Sequence, residues 1–257
     1  MTGKPRDPRR DRKYRVRFAE TQLDLNRAQV LRSLVFKQKL NLREAVGGPP
    51  DADDYDACAR HVLIEDLRTG DLVCCCRINV LEDGSQILGS YSAGFYDLRK
   101  FQAYQGRMLE LGRFCIAPEA KDPDVLRLAW GFLVDLVESE NVELLFGCSS
   151  FKGIDTGDYE DAFALLKERY LAPRCWLPCV KAPSVFRFEM KLKRGTLNLR
   201  AAMQRMPPLL RTYLMMGGWV SDHAVIDRDL QTLHVFTGLE TRLVSGNRRR
   251  QLSCQLD

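Results

Sequence analysis

The stretch from Arg107 to Cys148 changes its hydrophobic period twice, and this restricts the fold more than any other feature of the chain. Arg107 to Ala117 alternates as a strand does, and Pro118 to Pro123 interrupts it. A helix then begins near Asp122 to Val125 and carries Leu126, Leu128, Ala129, Phe132, Leu133 and Leu136 on one face. Val142 to Cys148 follows as a short buried strand. Strand, helix and strand in such close succession call for a layered α/β architecture, with helices packed on a sheet. Within the first strand, strict alternation puts Leu109 and Leu111 on one face, with Arg113 in phase, and Glu110, Gly112 and Phe114 on the other. A carboxylate inside such an apolar strand needs a partner or a function.

The same periods extend in both directions. Tyr14 to Ala19 is strand-like, Thr21 is placed to cap a helix, and Leu23, Leu25, Ala28, Leu31, Leu34 and Val35 follow at helical spacing. GGPPDADDYDA, residues 47–57, breaks that pattern and must be a loop. His61 to Leu67 and Asp71 to Leu81 form a hairpin turning at Gly70. Tyr159 to Tyr170 predicts a second helix and Val185 to Leu192 a closing strand. Pro207-Pro208 then opens an apolar segment, LLRTYLMMGGWV, and LHVFTGLE is a last strand-like run. These shifts divide the chain into a basic tail (1–13), a core (14–198), a C-terminal apolar extension (199–245) and a polar tail (246–257).

Composition removes several classes of function. The apolar runs fall well short of the roughly 20 residues that span a bilayer, and no apolar segment follows the basic N-terminus, so a cytoplasmic protein is expected. Nine cysteines, an odd number, point to reduced thiols rather than a disulfide framework. Cys74, Cys75 and Cys76 are successive strand residues that cannot converge on one ion. Cys175 and Cys179 lack a second pair, and the three histidines are scattered, so no metal is expected. The net charge of +5 is concentrated in Lys4 to Arg17, Lys191 to Arg200 and Arg248 to Arg250. Such segments are either solvated ends or attractors of an acidic carrier protein or an anionic membrane surface. No nucleic-acid recognition motif accompanies them.

Three local groupings could carry chemistry: Arg32 with Phe36, Asp53 and Asp56 around Tyr55, and Glu110 with Arg113, with Arg77 lying between the last two in sequence. Singly, each has an ordinary reading as a helix-face pair, a solvated turn or a strand charge. Their order is more specific. R-x₃-F, the D-D-Y-D loop followed by Cys58 and His61-Val62-Leu63, an arginine in the third strand, SAGFYDL at 92–98, LELGRFCIAP and the PPLLRTYLMMGGWV segment together resemble the ornithine N-acyltransferases of bacterial ornithine-lipid synthesis. These are GNAT-fold relatives of the acyl-homoserine lactone synthases. The resemblance runs from about Tyr14 to Glu240.

The resemblance implies an α/β fold, a GNAT-like mixed sheet with helices on both faces plus the C-terminal extension. It also implies transfer of a 3-hydroxyacyl chain from an acyl carrier protein thioester to the α-amine of L-ornithine, giving lyso-ornithine lipid. No bound cofactor is implied, and a separate O-acyltransferase would complete the lipid, at the inner face of the bacterial inner membrane. Glu110 and Arg113 are then the catalytic pair, with Glu110 taking the amine proton and a backbone amide near Gly112 holding the oxyanion. Arg32, Phe36, Asp53, Asp56 and Arg77 bind substrate, whose mixed charges suit them. CoA-dependent members of the fold carry a Q/R-x-x-G-x-G/A loop for the pyrophosphate, and APEAKDPDVLRLAWG lacks those glycines. A carrier phosphopantetheine, with a single phosphodiester, needs only a helix N-terminus near Asp122 and Val125, aided by Lys121 and Arg127. Cys115 is the cysteine nearest this site in sequence, but direct transfer is expected rather than an acyl-enzyme. Two alternatives share these residues: an acyl-homoserine lactone synthase using S-adenosylmethionine, and a non-catalytic module that binds a membrane or protein. The apolar 207–220 segment either docks the acyl chain or bilayer, or packs in the core.

Overall fold

The computed structural model describes residues 13–39, 50–192 and 198–244; most of the basic segments singled out above lie outside them. The elements in chain order are β1 (Tyr14–Phe18), α1 (Gln22–Lys39), β2 (Arg60–Asp66), β3 (Leu72–Leu81), β4 (Tyr96–Asp97), β5 (Arg107–Ile116), α2 (Pro123–Ser139), β6 (Val142–Lys152), α3 (Glu160–Arg169), β7 (Cys179–Val180), β8 (Val185–Phe186), α4 (Phe188–Lys191), α5 (Leu199–Arg205), α6 (Pro208–Met215), β9 (Trp219–Asp227) and β10 (Thr232–Glu240). Eight strands form one sheet in the order β1-β2-β3-β5-β6-β10-β9-β8, and β4 pairs with β7 in a small second sheet. Among the described strands only β5 and β6 pair in parallel, joined by the α2 crossover; the other ladders of the large sheet are antiparallel.

Local chemistry accounts for these boundaries. Thr21 caps α1, its Oγ1 accepting the Asp24 amide at 3.1 Å, and Gly70 takes φ +77° in the β2–β3 turn, a backbone region that favours glycine. α2 opens with Asp122 accepting the Asp124 amide and with Pro123 at the first position. One sheet face presents Val62, Cys76, Ile78, Leu109, Leu111 and Leu145 to α2 and α6. Further along the same face, Phe151, Leu233 and Val235 meet α3, α5 and α6. The other face packs Leu63, Cys75 and Cys115 against α1, and Phe146 and Phe236 under the loops around β4. Adjacent cysteines in β3 therefore do point to opposite faces.

One expectation is corrected. Of Val185 to Leu192 only Val185–Phe186, β8, is strand: after Phe186 the chain coils into the single turn of α4, and Met190 is exposed. The edge of β9 beyond the β8 pairing is already taken, because Val220 exchanges hydrogen bonds with Tyr170 and Ala172, at 2.7 and 2.8 Å. A longer β8 has no ladder to join. The segment from residue 199 onward is built into the sheet, since its strand β10 lies between β6 and β9. Most of the apolar 207–220 stretch, Leu210, Tyr213, Leu214, Met216 and Trp219 among it, is buried there, while Met215 stays exposed.

Candidate active site

The second correction to alternation builds the site. β3 and β5 pair Arg77 with Gly112 and Cys75 with Cys115, so Arg113 and Phe114 together face the single residue Cys76. This is a β-bulge, and Arg113 takes φ +51° in it. The extra residue inverts the phase of the strand. Phe114 joins Leu109 and Leu111 on the α2 face rather than Glu110 on the other. Arg113 is freed from the ladder's phase and meets the loop that follows α1.

There it closes a ring of six charged side chains. Arg32 bonds Asp51 at 2.9 Å and Asp56 at 2.7 Å. Arg77 bonds Asp56 at 2.8 Å and also Asp53. Arg113 bonds Asp53 at 2.9 Å and Asp51 at 3.1 Å. Each guanidinium lies between two carboxylates and each carboxylate between two guanidiniums, so the ring is formally neutral. Burial acts to raise the Asp56 carboxyl, but bonds from Arg32, Gln29 and Arg77 outweigh it and hold the group below its ordinary range. Asp51 escaped the sequence reading, although it stands in the same loop as Asp53 and Asp56. Phe36 and Tyr91 cover the ring's outer side, with the Arg113 guanidinium 5.9 Å and 4.9 Å from their ring centres.

Glu110 is also buried, at 5% exposure. Its Oε1 accepts from the Ser92 amide at 2.7 Å and the Ser92 hydroxyl at 2.6 Å, and its Oε2 from the Tyr91 amide at 3.0 Å. Of the roughly four acceptor positions on a carboxylate, one therefore remains. Burial raises the Glu110 carboxyl above its usual value despite the lowering effect of these bonds.

Beside Glu110 a cavity of about 300 Å³ opens between β5 and β6. The parallel ladder ends at Glu110 and Phe146, and past that point Gly112 to Phe114 form one wall and Cys148 to Ser150 the other. The cavity communicates with both faces of the sheet. On the α2 face it is lined by Leu111, Phe114, Leu126, Pro207, Pro208, Leu209 and Leu210. On the α1 face it is lined by Glu110, Arg113, Tyr91, Cys148, Asp227, Thr232 and His234. Arg113 is the one ring arginine that lines it; Arg32, Arg77, Asp53 and Asp56 stand behind that wall.

An acetyltransferase (GNAT) domain model matches residues 31–131. The L-ornithine N(alpha)-acyltransferase of Rhodobacter capsulatus is 29% identical over 249 residues, covering 92% of this chain and 93% of that protein. The protein of the same name from Brucella abortus is 30% identical over 242 residues, covering 90% of this chain and 85% of its own. The chain belongs to the L-ornithine N(alpha)-acyltransferase family.

In this acyltransferase the α2 N-terminus lies at the apolar end of the cavity, which Leu126 and Ile116 line. The Asp122 carboxylate sits over that terminus and accepts from Lys13 and, at 3.0 Å, from the Tyr14 hydroxyl. The Val125 side chain is buried and its amide bonds the Asp122 carbonyl. Arg127 is paired with Asp124 at 2.6 Å, and Lys121 is exposed. The cysteine at the site is Cys148, not Cys115. Cys115 packs beneath α1, whereas Cys148 lines the cavity with Sγ 3.5 Å from the Ser92 hydroxyl. Burial pushes its thiol up to about 12, which keeps it protonated and a poor nucleophile. Tyr91, Asp227, Thr232 and His234, with Ser149 and Ser150, are polar cavity residues that sequence reasoning missed.

Proposed function

We propose that this acyltransferase moves a 3-hydroxyacyl chain from the phosphopantetheine thioester of an acyl carrier protein to the α-amine of L-ornithine, producing lyso-ornithine lipid. The observation that carries the proposal is the cavity across the sheet, apolar on the α2 face and polar on the α1 face, with Glu110 and the bulge where the two parts meet. An acyl thioester fits the first part and an amino acid the second. The carrier's phosphate group approaches past the exposed Lys121, which supplies positive charge beside the Asp122-capped α2 N-terminus. Arg113 faces the amino acid's carboxylate, and the ion-pair ring fixes that guanidinium in place. Glu110 takes a proton from the α-ammonium, directly or through water. The amine then attacks the thioester carbonyl, a backbone amide at the Arg113 bulge holds the oxyanion, and the carbon–sulfur bond breaks to release the carrier thiol.

Among the described residues no helix is long and apolar enough to cross a membrane. A cytoplasmic enzyme working at the inner membrane surface, followed by a separate O-acyltransferase, accommodates the lipid product. The test is mass spectrometry of products after mixing the protein with 3-hydroxyacyl carrier protein and either ornithine or S-adenosylmethionine, while thiol release is followed. N-acyl-ornithine is the expected product. An acyl-homoserine lactone, or no thiol release with either acceptor, would overturn the proposal.

A further inference from the structure

The polar part of the cavity ends in three side chains that the mechanism above does not use. Asp227 closes β9 and lies directly across the hairpin from Thr232, and His234 stands two residues further along β10 on the same face. All three line the cavity and are buried, at 7%, 5% and 2% exposure. Thr232 Oγ1 and His234 Nε2 are buried without a hydrogen-bond partner among the described residues, a costly state unless a ligand completes it.

The three groups share one polarity. Asp227 Oδ1 accepts the amides of Asp229 and Leu230 at 3.0 and 2.9 Å, which fixes the carboxylate, and no hydrogen bond among the described residues reaches Oδ2. Tyr96 spends its single hydroxyl proton on the His234 carbonyl at 2.8 Å. At the 3.2 Å contact with Nδ1 the ring must therefore supply the proton. Burial drives the ring's pKa down to about 3, so it stays neutral and Nε2 presents a lone pair. Thr232 can accept as well. The Asp227 charge also reaches the reaction centre, adding to the burial that raises the Cys148 thiol. A carboxylate, an imidazole lone pair and a hydroxyl match the three N–H donors of one ammonium.

We propose that Asp227, Thr232 and His234 form the subsite for the side-chain ammonium of a diamino acid acceptor. This rests on the amino-acid acylation proposed above and adds to it a source of substrate choice. Holding the distal amine protonated beside Asp227 removes its nucleophilic lone pair, so acylation falls on the α-amine.

The test compares kcat/KM for L-ornithine and L-norvaline, which has the same chain length and no distal amine, in the wild type, Asp227→Asn and Thr232→Val. Asparagine keeps the Oδ1 acceptor for the turn amides, and thermal melts check folding. The ornithine-to-norvaline ratio should fall about 10- to 100-fold in D227N, the loss expected for a charge-assisted hydrogen bond, and about 5-fold in T232V. A ratio that stays at the wild-type value in folded D227N overturns the subsite while leaving the acylation reading intact. A wild type that acylates neither amino acid overturns both. If D227N instead loses its preference for 3-hydroxyacyl over plain acyl donors while the amino-acid ratio is unchanged, the site serves the donor and the assignment fails.

Discussion

Asp56 is the most consequential carboxylate in the ion-pair ring, and Asp56→Asn tests whether the ring acts as a unit. The side chain accepts from Arg32 at 2.7 and 2.8 Å, from Arg77 at 2.8 Å and from Gln29 at 3.0 Å, at 6% exposure. Removing one member of a buried pair costs about 3 to 5 kcal/mol, because the opposite charge is left uncompensated. Here Arg32 keeps Asp51 and Arg77 keeps Asp53, which favours the lower end, about 3 kcal/mol. For a chain of this size that lowers Tm by roughly 6 to 12 °C, measurable by calorimetry or circular dichroism. Since Asp56 titrates below its ordinary value of 3.8 in the folded protein, its contribution is present in full above that pH and is lost as pH falls further. The gap in Tm between wild type and D56N should therefore narrow below about pH 3.8. In a double-mutant cycle, D56N with Arg32→Met should cost less than the sum of the single changes by about 1 kcal/mol or more. A D56N shift under about 2 °C, or simple additivity, would refute the argument that the ring is a coupled unit.

Glu110→Gln should lower kcat by about 10²- to 10⁴-fold in a protein that still folds, with Tm lowered by a few degrees because one of the amides bonded to Glu110 loses its acceptor. In the wild type the rate should rise with pH through a midpoint above 4.5, because burial raises Glu110; an acid limb at or below 4.5 in the pH–rate profile would speak against its role as the base. Gly147→Ala should destabilise the fold by about 2 kcal/mol in urea unfolding, since a methyl there runs into the Leu111 carbonyl of the neighbouring strand. Leu209→Trp, on the apolar wall of the cavity, should shift donor preference towards shorter acyl chains by about 10-fold in kcat/KM, read from competing carrier thioesters. Unchanged chain-length preference would mean that the acyl chain runs elsewhere.

Elements whose apolar period is local and strong were legible in the sequence: α1, α2, the β2–β3 hairpin and β5 all follow from side-chain spacing and turn chemistry. β9 was hidden because Ser221, Asp222, His223 and Asp227 interrupt its apolar pattern, and its place depends on pairing with β10. The bulge at Arg113 was equally hidden. A strand sequence carries the alternation, whereas the extra residue is defined only against Cys76 on the neighbouring strand. Arg32, Asp53, Asp56, Arg77, Glu110 and Arg113 stand out in the sequence because they are charges in apolar or motif-like settings. The Asp227, Thr232 and His234 group gave a weaker signal, two polar residues on one face of a strand-like run, and only the hairpin register brings the aspartate to them.

The central position of β10 also determines when this enzyme can become whole. Until residues 232–240 emerge from the ribosome, β6 has its β5 side paired and its other side open, along a run that includes Leu144, Leu145 and Phe146. An apolar strand edge left waiting in this way is a site for pairing with another nascent chain. Interrupted synthesis would thus yield a half-sheet prone to aggregation rather than a smaller working enzyme. The same late-arriving hairpin carries Asp227, Thr232 and His234, so the wall proposed to meet the amino acid is the last part of the pocket to be installed.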